Sequence, residues 1–212
     1  MSSAESAPES IADDLKRTGI SVRPGFFTAA EVAVTLHDFN SCHAAGKFKL
    51  AGIGHGGHHE MRATVRTDET HWLEREGANP TQAMLLDRFE ELQTAFNRTL
   101  FLGLTDFEGH YASYAAGGFY QRHADAFDSS TVNESARLVS LVLYLNEDWK
   151  TDDGGMLRLY ARGATEHTAD SHRDIEPIAG TLVCFLSRET EHEVLKSQKV
   201  RRSLSGWFRR TS

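Results

Sequence analysis

The chain has 212 residues, 40% hydrophobic and 25% charged, with a formal net charge of −7. That length carries one domain with a substantial core, and a second would be cramped. The acidic balance argues against nucleic acid or an anionic membrane as partner. No stretch reaches the roughly 18–20 apolar residues of a bilayer span, and Met1 to Ser10 lacks the basic and apolar regions of a secretory signal. The two cysteines, Cys42 and Cys184, are too few for a disulfide framework. Cys184 lies in an apolar run, Thr181 to Leu186, and reads as a small buried hydrophobe. A cytoplasmic location fits this usage.

Residues 1–9 are small and polar and read as a disordered tail, with 10–212 as a single domain free of repeats and linkers. Thr28 and Glu31 form a capping box that opens a helix through about His43. Gly54-His55-Gly56-Gly57-His58-His59 reads as a solvated loop in preference to a second metal site. A second helix runs from about Pro80, suited to a first helical turn, to Thr99. Its apolar positions Leu85, Phe89, Leu92, Phe96 and Leu100 step by three and four, which makes one buried stripe.

After Asp106 the texture changes to short β-rich runs: Phe107–Ala115, Arg137–Leu145, Met156–Ala161, Gly180–Ser187, His192–Lys196 and Val200–Arg209. Helices followed by strands predict an α+β fold in which the helices back one sheet of a β-sandwich or jelly roll. In the last run, Val200, Leu204 and Phe208 share one face, expected to pack on the helices. Arg201, Ser203, Ser205 and Trp207 share the other. An arginine facing a barrel interior needs a counter-charge, because a buried unpaired cation is very costly. Something anionic is expected inside.

His123-Ala124-Asp125 places two potential ligands on one side of an extended segment. His192 follows, and Arg201 comes nine residues after it. Two imidazoles and one carboxylate can cap one face of an octahedral Fe(II) and leave three positions open. A downstream arginine can then hold the far carboxylate of a diacid such as 2-oxoglutarate in a bidentate pair. Zinc is the rival metal. A closed structural zinc site is disfavoured by the lack of Cys-x-x-Cys, but a catalytic zinc with two histidines and one carboxylate stays open on the triad alone. Arg202 competes for the role of Arg201, and strand parity places it instead on the face of Val200 and Leu204.

From Tyr111 onward the chain resembles the prolyl-hydroxylase branch of the Fe(II)/2-oxoglutarate-dependent dioxygenases, both the oxygen-sensing enzymes of animals and their bacterial relatives. The matching segments are Tyr114 to Asp125 (YAAGGFYQRHAD), Leu143 to Trp149 (LYLNEDW) and Gly154 to Arg158 (GGMLR). Asp174 to Pro177, His192-Glu193-Val194 and Arg201 to Trp207 follow in the family's order. Upstream, Arg66 to Trp72 (RTDETHW) is similar to the Arg-x-Asp…Trp segment of the same branch.

The resemblance implies a double-stranded β-helix with His123, Asp125 and His192 as catalytic iron ligands. It implies that Arg201 binds the distal carboxylate of 2-oxoglutarate with the Tyr144 hydroxyl as second donor, and that Trp207 and Leu157 wall that pocket. Tyr114 takes the place of a pocket tyrosine, in a turn one residue shorter than in the animal enzymes. Arg66 and Asp68 fall in a substrate-selecting loop, expected to span Gly52 to Trp72; the plainer reading makes them a surface ion pair. The cofactors implied are Fe(II), 2-oxoglutarate and O2, with ascorbate as a reductant. The presence of Asp125 favours hydroxylation over halogenation. The expected activity is hydroxylation of a prolyl residue in a protein, with release of succinate and CO2. The bacterial pattern points to elongation factor Tu as substrate. The alternatives are a hydroxylase of a free amino acid or small metabolite, and a non-catalytic cupin-like sensor.

Overall fold

A computed structural model describes residues 7–52, 64–126, 136–160 and 172–211. In chain order the elements are α1 (Ala7–Thr18), β1 (Ile20–Arg23), α2 (Ala29–Ala44), β2 (Lys49–Leu50), β3 (Glu69–Leu73), α3 (Pro80–Leu100) and β4 (Asp106–Tyr114). Then follow β5 (Tyr120–His123), β6 (Ala136–Tyr144), β7 (Leu157–Tyr160), β8 (His172–Ile175), β9 (Leu182–Leu186), β10 (His192–Val194) and β11 (Arg201–Arg210). Two antiparallel sheets result. The larger runs β1-β9-β6-β11-β4-β3-β2 and the smaller β5-β10-β7-β8.

Local chemistry sets the helices. Thr28 Oγ1 accepts from the Glu31 amide at 3.2 Å, and the Glu31 carboxylate accepts from the Thr28 amide at 2.8 Å. These two bonds make the anticipated capping box of α2. Asn79 caps α3 by accepting from the amides of Thr81 and Gln82, with Pro80 as the first helical residue. The stripe of α3 is buried as its spacing predicts, with Leu85, Phe89, Leu92 and Phe96 each 0% exposed. Helix α1 and the short strands β1, β2, β3, β5 and β8 are not among the elements expected from the sequence. The helix begins inside the stretch read as tail, because Ile11, Ala12 and Leu15 are buried and draw it against α3. Residues 1–6 lie outside the described residues.

The helices cover the outer face of the larger sheet. Leu204 and Phe208 of β11 join Leu85, Phe89 and Phe96 there, in one apolar cluster with Cys184. The inner face opposes the smaller sheet. Tyr114, Val142 and Tyr144 from one sheet pack with Leu157, Leu159, Ile175 and Val194 from the other. Two antiparallel sheets closing on each other in this way make the jelly roll, the expected double-stranded β-helix. One expectation for β11 fails: Val200 is 41% exposed. It precedes the first paired residue, Arg201, so strand alternation does not reach it.

Candidate active site

Strands β5 and β10 pair so that His192 lies opposite His123. Asp125, just past the end of β5, comes between them. Its Oδ1 stands 3.6 Å from His123 Nε2 and its Oδ2 stands 3.6 Å from His192 Nε2. The potential ligand atoms of the three residues all lie within 4.8 Å of one another, in the one such group among the described residues. His123 Nδ1 is 2.7 Å from the Gln121 carbonyl, and His192 Nδ1 is 3.3 Å from that of Thr190. A carbonyl only accepts, so in both rings Nδ1 carries the proton and Nε2 offers its lone pair to the centre.

The electrostatics agree with a cation site. Burial pushes the His192 imidazole down to about 4, against the opposing pull of Asp125, so the ring is neutral near pH 7. Burial also opposes ionisation of Asp125, but the two imidazoles and the Ser140 hydroxyl outweigh it and hold the carboxyl well below the usual range. Ser140 Oγ donates to Asp125 Oδ2 at 2.7 Å and lies 2.8 Å from Ser187 Oγ. Neither serine was singled out from the sequence. Ser140 lies between apolar neighbours in β6, and only its register opposite Trp207 and Phe185 puts it on the inner face.

Further along the inner face, Arg201 is 1% exposed. Its Nε donates to the Gly155 carbonyl at 2.9 Å and its Nη1 to Ser203 Oγ at 3.3 Å, while Nη2 is buried with no partner. The Tyr144 hydroxyl is likewise buried and unpartnered. Burial pushes that phenol up to about 12, although Arg201 pulls it down, so it stays a donor. The guanidinium carbon sits 5.2 Å from the Tyr114 ring centroid and 5.1 Å from that of Tyr144. A buried cation without a carboxylate partner, beside an unsatisfied phenol, fits the carboxylate of a diacid. Gly155 can serve Arg201 because Gly154 and Gly155 both take positive φ, and a Cβ on Gly154 would stand 2.5 Å from the Lys196 carbonyl oxygen. Arg202 is turned away: its backbone, not its side chain, is held by Asn146.

Triad, Arg201, Tyr114, Leu157 and Trp207 line one cleft of about 1360 Å³, together with Arg66 and Asp68. Trp207 stands at the triad end, opposite Ser140 and six residues along β11 from Arg201. It belongs to an aromatic row that the sequence did not disclose, with His110 at 5.4 Å and Trp72 at 6.2 Å between ring centroids. His110 Nδ1 and Trp207 Nε1 are buried without partners. A register slip between Phe208 and Arg209 re-aims Arg137, whose guanidinium stacks 3.6 Å from the Trp207 ring centroid. Arg66 and Asp68 are no loose surface pair, because their side chains are only 14% and 0% exposed. Residues 53–63, which carry His55, His58, His59 and most of the expected loop, lie outside the described residues; the end of that expected loop, Glu69 to Trp72, is instead part of strand β3, held by its pairing with β4.

Comparison with known proteins agrees with this picture. Residues 109–209 match the 2OG-Fe(II) oxygenase superfamily. A prolyl-4-hydroxylase from Pseudomonas putida is 38% identical over 97% of this chain and all of its own, with a TM-score of 0.82. A Trichoplax adhaerens prolyl hydroxylase, solved with a hypoxia inducible factor peptide fragment, shares the fold at 21% identity, covering 97% of this chain and 94% of its own (TM-score 0.78). Egl nine homolog 1 of Homo sapiens is 29% identical over 152 residues, 68% of this chain and 33% of that protein. The chain thus spans about a third of that relative's length. The zinc reading left open by the triad gives way here, since the family uses Fe(II), 2-oxoglutarate and O2. The chain belongs to the 2OG-Fe(II) oxygenases and is a 2-oxoglutarate-dependent dioxygenase of the prolyl hydroxylase type.

Proposed function

We propose that the enzyme hydroxylates a prolyl residue within a protein, with elongation factor Tu as the candidate substrate, and releases succinate and CO2. In this reading His123, Asp125 and His192 hold Fe(II), while Arg201 and Tyr144 donate to the distal carboxylate of 2-oxoglutarate. Bound iron supplies the oxidising chemistry with 2-oxoglutarate and O2; the protein orients the reactants and keeps competing reactions out. The Nδ1–H bonds to Gln121 and Thr190 keep both imidazoles turned inward, and Ser140 does the same for Asp125.

The observation that carries the protein-substrate reading is the reach of the cleft. It continues beyond the triad past His110 and Trp207 to Trp72, which is 46% exposed at the rim. A free amino acid is recognised by enclosure, whereas a polypeptide needs a cleft that its flanking residues can leave. Arg66 and Asp68 line the same cleft and are read as shaping its substrate side. The same reading takes 10–212 as a single catalytic domain, supported by Ile11 and Leu15 packing into the same core as Phe208. No described helix is long and apolar enough to cross a membrane, and a cytoplasmic location suits the candidate substrate.

The test is mass spectrometry for a +16 Da change on a proline of purified elongation factor Tu, run beside succinate release. Hydroxylation of free proline, with none on this protein or on proline peptides, would favour the metabolite reading. Binding of 2-oxoglutarate without any turnover would favour the sensor reading.

A further inference from the structure

The His123 imidazole lies flat on the Tyr120 ring, with centroids 3.6 Å apart and planes 19° from parallel. The Arg66 guanidinium carbon stands 4.5 Å from the centroid of that same ring. Two planar groups this close cannot share one face of a six-membered ring, so Tyr120 is sandwiched between Arg66 and His123. Simple alternation would send residues 120 and 123 to opposite faces. Val194 pairs with Tyr120 and His192 with His123, so β5 carries one extra residue, and that bulge turns both rings to the same side.

The far end of the stack is anchored. Arg66 donates from Nε and Nη2 to the two oxygens of Asp68 at 2.8 and 2.6 Å. Burial opposes the charge of Arg66, and Asp68 overcomes it and keeps the guanidinium protonated. Backbone bonds fasten this segment to β5: the Gln121 amide donates to the Val65 carbonyl at 2.9 Å and that of Thr67 to the Phe119 carbonyl at 3.2 Å.

We propose that Tyr120 is a positioning residue for the metal site, and that Arg66 and Asp68 act through it on His123 as well as bordering the cleft. The inference rests on the reading of His123 as a metal ligand. The bond from Nδ1 to Gln121 ties one edge of the imidazole, but a ring held at one edge still rocks about that bond. A flat stack removes that freedom, and the buried ion pair keeps the stack in place. Groups behind a ligand typically change metal affinity by about 10- to 100-fold when removed.

Mn(II) binding without substrate, read by electron paramagnetic resonance, tests this apart from turnover. Tyr120→Leu removes the stacked ring and is expected to weaken binding by about tenfold or more. Tyr120→Phe keeps the ring and is expected to bind like the wild type. Arg66→Met is expected to fall between the two. Circular dichroism melts of the apo variants report whether each folds. A folded Tyr120→Leu variant binding as tightly as the wild type would overturn the inference, as would equal losses for Phe and Leu. Should Tyr120→Leu fail to fold, unchanged affinity in folded Arg66→Met overturns the coupling. Wild-type affinity in His123→Ala would instead sink the ligand assignment itself, and this inference with it.

Discussion

The two faces of β11 show two ways of burying a strand. Toward the helices, Leu204 and Phe208 are 0% exposed, and Phe208 meets Phe96 edge-on with centroids 5.2 Å apart. Toward the smaller sheet, Arg201 and Ser203 are just as buried, yet Arg201 Nη2 and Trp207 Nε1 lack partners. Orphaned buried donors cost on the order of 1–3 kcal/mol each, so a fold keeps them only where something else completes them. The outer face is finished by the chain itself. The inner face presents buried donors, Arg201 Nη2 and the Tyr144 hydroxyl among them, that suit an anionic ligand.

That contrast separates loss of activity from loss of stability. Asp125→Ala and His192→Ala are expected to abolish hydroxylation while the melting temperature holds, because each removes a ligand candidate from the unfinished face. Wild-type-like turnover in either variant would break the assignment. Phe208→Ala is the opposite case: it opens a cavity on the finished face and is expected to cost about 3–5 kcal/mol of stability, measurable by urea denaturation.

Arg201→Ala is expected to raise the 2-oxoglutarate requirement by roughly ten- to a hundredfold, as the loss of a charged hydrogen bond of about 1.5–3 kcal/mol implies. Arg202→Ala, one residue along and turned outward, is expected to do far less. If the two variants exchanged effects in 2-oxoglutarate titrations, the two faces would be wrongly assigned. Ser140→Ala sharpens the comparison further. It frees Asp125 from one hydrogen bond and is expected to weaken Mn(II) binding by about tenfold, with only a small change in melting temperature. The smallest effect belongs to exposed pairs such as Arg75–Asp87, whose side chains are 57% and 64% exposed. Arg75→Ala is expected to shift stability by less than about 1 kcal/mol and to leave turnover unchanged.

Much of this was legible in one dimension because its causes are local. A capping box at Thr28 and Glu31, a stripe at spacings of three and four in α3, and alternation in β11 each depend on residues a few positions apart. Alternation along one strand is enough to separate Arg201 from Arg202. Helix α1 escaped notice because its start lies in the small polar stretch that reads as a tail, although Ile11, Ala12 and Leu15 share one face; β1, β2, β3, β5 and β8 are short strands of two to five residues, too brief for alternation to mark them. Pattern reading also placed Val200 on the helices, where alternation had not yet begun.

The sequence by itself determined the chemistry available: two histidines, an aspartate and an arginine in an order that suits iron and a diacid, on a chain that folds helices first and strands after. Tertiary structure decided what those groups lean on. Ser140 reaches Asp125 because of a register across three strands, Arg137 reaches Trp207 through a bulge in one pair, and Tyr120 meets His123 through a bulge in another. The physical reason is range. Helix caps and strand faces are set by neighbours along the chain, whereas register and bulges are set by partners many residues away, and one slipped residue turns a side chain to the opposite face of its sheet.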